Sequence, residues 1–89
     1  MELDKGLSPY FQGERIVAIP RRRAARLAVL DLVANRFEPG LKYAEVTVNA
    51  VLGEFHADFC ALRRYLVDEG FLDRSDPLYW RAGGTVEVD

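Results

Sequence analysis

Asp58-Phe59-Cys60-Ala61-Leu62-Arg63-Arg64-Tyr65-Leu66-Val67-Asp68-Glu69-Gly70-Phe71-Leu72-Asp73-Arg74 is the stretch whose reading decides the fold. Asp58 suits an N-cap, because its carboxylate can accept from unpaired backbone N–H groups of a first helical turn. Phe59, Leu62 and Leu66 recur at i, i+3 and i+7 and so share one face. Gly70 can adopt the left-handed conformation that ends a helix. Phe71 and Leu72 then open a strand-like run. The expectation is a helix over 58–69, a glycine stop, and a strand leaving at once.

Upstream lie two more helical patterns. Over 21–37, Leu27, Leu30, Val33, Ala34 and Phe37 form an apolar stripe, and Glu38-Pro39-Gly40 stops it. Over 43–55, Val48, Val51, Leu52 and Phe55 supply a second apolar face. Its N-cap is poor, since Ala44 carries no side-chain acceptor. Before these, Arg15-Ile16-Val17-Ala18-Ile19 is β-branched, short and ended by Pro20, which predicts an edge strand. Downstream, 71–74 and 78–81 read as a hairpin around Ser75-Asp76-Pro77. Residues 85–89 read as a small extra strand or a frayed end.

Length and composition bound the rest. With 89 residues, one domain is expected, divided as a leader over 1–14, a folded domain over 15–82 and a tail over 83–89. Hydrophobic residues make up 49% of the chain, enough for a core without staples. The apolar runs are too short to span a membrane, and Met1–Lys5 lacks a signal-peptide pattern. The single cysteine, Cys60, allows no internal disulfide, so a cytoplasmic location is expected. His56 and Cys60 stand four apart, too few ligands for zinc. They also lack an orienting partner for nucleophilic chemistry, and no glycine-rich phosphate loop is present. The reading is therefore a non-enzyme with no catalytic residues, no metal and no cofactor.

The order short strand, helix, helix, helix, hairpin defines the fold class: α+β, a winged helix-turn-helix, with a C-terminal β-hairpin wing and a short N-terminal strand. The residues that fill it also resemble a family. The pattern is an arginine-rich helix start, then Phe37, Gly40, Tyr43, Glu45, Val48 and Asn49. It continues through Phe55, Asp58 and the Leu62-Arg63-Arg64-x-Leu66-Val67-Asp68-x-Gly70-x-Leu72-x-Arg74 block, and closes at Tyr79. Over roughly Arg15 to Arg81 this is similar to a small bacterial domain family of unknown function. Its members resemble winged-helix modules, found alone or behind the DNA-binding domain of arsenic-repressor-type regulators. The chain departs from that family at Ala44 and Thr47, where a capping box is lost, and at Pro77, where glycine is usual. The resemblance implies nucleic-acid binding.

Candidate site residues follow from the helical wheel at about 100° per residue. With Phe59, Leu62 and Leu66 inward, Ala57, Ala61, Arg64 and Asp68 face out, with Cys60 and Tyr65 at the edges. In a major groove the small Ala57 and Ala61 permit close approach, and Arg64 reaches a guanine edge or a phosphate. The competing reading pairs Arg64 with Asp68 as a surface contact. Arg63 falls nearer the apolar face and is expected to pair with Glu45 or Asp58. Arg21, Arg22, Arg23 and Arg26 form a cluster without nearby acids, suited to phosphates or an acidic partner. Arg74 and Arg81 are expected on the wing against phosphate, and Trp80 in the core. Transcription-related nucleic-acid binding, with DNA as partner, is thus the first reading. The net charge of −2 and a pI near 5.4 weigh against it. The alternative is a protein-interaction or homodimerisation module on the same scaffold.

Overall fold

A computed structural model describes residues 6–85. Among the described residues, three α-helices, a short 3-10 turn at Ser8–Tyr10 and two small antiparallel sheets make an α+β fold. The helices are α1 (Arg23–Ala34), α2 (Glu45–Phe55) and α3 (Phe59–Asp68). A hairpin pairs β1 (Phe11–Gln12) with β2 (Arg15–Ile16). The main sheet holds β3 (Lys42–Ala44), β4 (Leu72–Ser75) and β5 (Leu78–Arg81) in the order β3-β5-β4.

α3 forms as its sequence predicts. The Asp58 carboxylate accepts from the Ala61 amide at 3.1 Å, and Leu62 and Leu66 are buried. At the other end Gly70 sits at φ 81. The Phe71 amide donates to the Leu66 carbonyl, and the Gly70 amide to Val67. That pair of bonds satisfies carbonyls the last helical turn leaves free, and Phe71 packs on the core beyond it. Glycine is needed at position 70, because a side chain would strain this left-handed backbone. The Schellman-type stop aims the chain straight into β4.

α1 is shorter than expected at both ends. Arg22 is extended and caps the helix without a side-chain bond, and residues past Ala34 continue only as turns. Its buried row is Val29, Leu30, Val33 and Ala34, with Phe37 adding to the same core. α2 buries Val48, Leu52 and Phe55. Its first free amide, on Glu45, donates to the Pro77 carbonyl at 3.1 Å. The turn of the hairpin thus satisfies one of the amides that the start of α2 leaves free.

The strands required three corrections. The expected N-terminal strand over 15–19 ends at Ile16 and pairs with β1, away from the main sheet. Gly13, at φ 63, makes the turn that allows this pairing. Residues 43 and 44, expected in the second helix, instead join Lys42 in β3, which pairs with β5. A three-residue strand carries too little periodicity to be read without its partner. Trp80, expected in the core, is only partly buried, whereas Tyr79 is 1% exposed. Strand alternation puts the two on opposite faces, and the register of Tyr79 with Tyr43 and Arg74 turns Tyr79 inward. Residues 86–89, part of the predicted extra strand or frayed end, lie outside the described residues.

The N-terminal segment ahead of α1 contributes to the core. Leu7 and Ile16 are buried with the helix residues. His56 Nδ1 lies 2.9 Å from the Ile16 carbonyl, and Arg15 donates to the Gly53 and Glu54 carbonyls at 3.1 and 3.2 Å. The small hairpin therefore caps the C-terminal end of α2. In urea unfolding followed by circular dichroism, Leu62→Ala is expected to cost about 2–5 kcal/mol. Arg64→Ala, on the opposite face of α3, should stay within about 0.5 kcal/mol.

Candidate nucleic-acid interface

The outer face of α3 is uncovered. Ala57, Cys60, Arg64, Tyr65 and Asp68 are exposed and Ala61 is half-buried. Asp58, Cys60, Ala61, Arg64, Tyr65 and Asp68 line a shallow concavity along it. The Arg64 side chain is 84% exposed. Its Nε lies 3.9 Å from the Asp68 carboxylate, one turn on. Such an exposed pair is weak and exchangeable, so Arg64 can leave it for a stronger anion.

A second groove separates α3 from the β4–β5 hairpin, lined by Arg63, Arg64, Val67, Arg74 and Tyr79 among others. Its floor is one connected polar network. The buried Tyr79 hydroxyl donates to Glu45 Oε1 at 2.9 Å, and the exposed Arg74 sits opposite Tyr79 on the neighbouring strand. Interaction with the Tyr79 hydroxyl, with Asp76 and Glu45 nearby, raises the Arg74 pKa further above its ordinary value. Arg63 donates to Asn49 Oδ1 and lies 4.0 Å from Glu45. The expected Arg63–Glu45 pairing is present, with Asn49 as an added partner that spacing alone did not reveal.

On the other flank of α3 stand the arginines that begin α1. The expectation that this cluster lacks acids needs correcting, because the chain brings Glu69 to it from the end of α3. Arg23 forms a two-pronged bond to the Glu69 carboxylate at 3.1 and 3.2 Å, and Arg26 lies 3.9 Å away. Arg26 also stacks over the Tyr65 ring, 5.2 Å from its centroid, and donates to the Arg21 carbonyl at 3.0 Å. Its Nε is buried without a hydrogen bond among the described residues. Arg21 and Arg22 are exposed. Their side chains show no ion pair or hydrogen bond among the described residues. The cluster is thereby split: Arg23 and Arg26 fasten α1 to α3, and Arg21 and Arg22 are left to solvent.

Arg81 points inward. Its guanidinium donates to the Ala34 and Phe37 carbonyls, both at 2.9 Å, and also to Gly83 and Thr85. A cation on the last carbonyls of α1 satisfies groups the helix leaves free and opposes the negative end of its dipole. Asp31 completes this corner by accepting from the Thr85 amide and hydroxyl at 2.6 and 2.7 Å. No pattern in the sequence marks Arg81 as a helix cap, because its partners lie far away along the chain.

The fold and the surface together define a small α+β domain whose third helix presents Arg64 among Asp58, Cys60, Tyr65 and Asp68, between an arginine-led helix and a hairpin. No helix among the described residues is long and apolar enough to cross a membrane. The chain belongs to a bacterial family described as "Uncharacterized protein conserved in bacteria (DUF2087)", whose model matches residues 15–81. No curated protein and no solved structure matches it.

Two variants test this wiring by chemical denaturation. Tyr79→Phe removes only the hydroxyl that donates to Glu45 and should cost about 0.5–1.5 kcal/mol. Arg81→Lys keeps the charge but cannot span several carbonyls, and should cost about 1.5–3 kcal/mol.

Proposed function

We propose that this domain is a non-catalytic winged-helix module that binds nucleic acid in the cytoplasm, in the service of transcription. The order α1, β3, α2, α3, β4, β5, with β5 between β3 and β4, is the arrangement such modules use. In this reading α3 is the recognition helix, with Ala57 and Ala61 allowing close approach to a groove. Arg64 is its reading or phosphate-binding side chain. The observation that carries the proposal is the uncovered outer face of α3, with Arg64 directed into solvent. Arg21 and Arg22, exposed on its flank, add positive charge beside this face, whose own lining sets Arg64 against Asp58 and Asp68, although the chain carries a net charge of −2. The family's association with arsenic-repressor-type regulators, implied by the sequence resemblance, points to the same use.

A second reading draws on the main sheet. Leu41 and Val46, 48% and 75% exposed, flank the edge strand β3. Trp80 and Leu78 are only partly buried on the neighbouring strand. Exposed apolar residues beside an unpaired strand edge suit a protein partner or a second copy of the chain.

Fluorescence anisotropy with labelled genomic duplexes, alongside light scattering, separates the two. The expected result is binding at low salt that weakens steeply as salt rises, and weakens at least about fivefold in Arg64→Ala. A dimer with no duplex binding at low salt would instead establish the interaction module.

A further inference from the structure

Deepening that reading, we propose that a bound duplex is held from the α1 side of α3, with Arg21 and Arg22 as its phosphate contacts. The β4–β5 hairpin then makes no phosphate contact. The inference rests on α3 being the surface that meets nucleic acid, and it can fail while that reading stands.

The hairpin is built short and closed. Its turn is only Asp76-Pro77, between strands ending at Ser75 and starting at Leu78. The Pro77 carbonyl accepts from the Glu45 amide at 3.1 Å, so the tip is docked against the start of α2. No loop extends past the sheet to enter a neighbouring groove. The side chains there repel phosphate: Asp73 and Asp76 are both exposed. Asp73 also accepts from the Arg74 amide at 2.8 Å, which occupies a donor of the outer strand edge.

Two of the cations on that side are already engaged and the third is flanked by acids. Arg63 is bonded to Asn49 beside Glu45 and Arg81 to four backbone carbonyls, while the exposed Arg74 stands between Asp73 and Asp76, whose carboxylates offset its charge toward a phosphate. Moving Arg63 or Arg81 to a phosphate would leave a hydrogen-bonding group of the network without its partner.

The α1 side has the opposite character. Glu69 fixes the first turn of α1 beside the end of α3 through Arg23, and the Arg26–Tyr65 stack closes the gap between the two helices. Arg21 and Arg22 immediately precede that turn, exposed and without an acidic neighbour in it. Positive charge at a helix start is unfavourable to the chain itself. Within the described residues nothing offsets it for these two side chains. A phosphate backbone lying along α3 would do so, and contacting it requires no internal bond to break.

Anisotropy with a labelled mixed-sequence duplex, titrated across a salt series, tests the placement. The slope of log affinity against log salt counts phosphate contacts at about 0.9 per contact. The Arg21→Ala/Arg22→Ala double variant is expected to flatten the slope by about 2 and to weaken binding at low salt by about tenfold or more. Arg74→Gln and Asp76→Asn are expected to leave the slope unchanged, with thermal melts confirming that each variant is folded. An unchanged slope in the double variant, or a slope flattened by about 1 in Arg74→Gln, would overturn the placement but not the binding. If the wild-type domain fails to bind the duplex at low salt, the underlying reading goes and the placement with it.

Discussion

The bond between the Tyr79 hydroxyl and the Glu45 carboxylate joins the parts that matter most in this domain. Tyr79 lies on the central strand of the main sheet, and Glu45 begins α2. The ring is buried, so its hydroxyl needs a partner inside the protein. Glu45 provides it, and the same carboxylate stands near Arg63 on α3. One contact thus fixes the sheet, α2 and α3 relative to one another. The Pro77 carbonyl on the Glu45 amide repeats the connection through the backbone. With those pieces set, the apolar face of α3 has one seat, and its opposite face has one direction.

Arginine serves this small domain as a structural joint. Arg81 closes the end of α1, Arg15 closes the end of α2, and Arg23 ties the start of α1 to the end of α3. Each uses the planar fork of donors that lysine lacks, reaching two acceptors at once. The consequence for function is a division of labour within one residue type. Arginines committed to carbonyls or to a shared carboxylate hold the fold. Those without such partners, Arg21, Arg22 and the loosely paired Arg64, are the ones free to act outward. A negative total charge is compatible with that arrangement, because the field near a surface depends on which charges are nearby and unpaired.

The site sits where stability asks least. α3 must bury Leu62 and Leu66 and must turn at Gly70, but nothing in the core constrains the residues at Ala57, Ala61 or Arg64. The scaffold is rigid on one side of the helix and permissive on the other. Such a helix can present varied side chains to a partner without altering the fold that carries them.

Local chemistry made much of this legible in the chain itself. The capped helix with its glycine stop, the apolar stripes of α1 and α2, and the outward direction of Arg64 all follow from interactions within a few residues, which periodicity and capping report directly. Three features depended on contacts distant in sequence. β3 exists because β5 lies beside it. Tyr79 rather than Trp80 entered the core because strand pairing set which face turned in. The arginine cluster found its acid in Glu69, more than forty residues on. An amino-acid pattern can declare that an arginine is present and on which side of a helix it lies. Whether that charge is spent inside the protein or left for a partner is decided only when folding brings the acceptors to it.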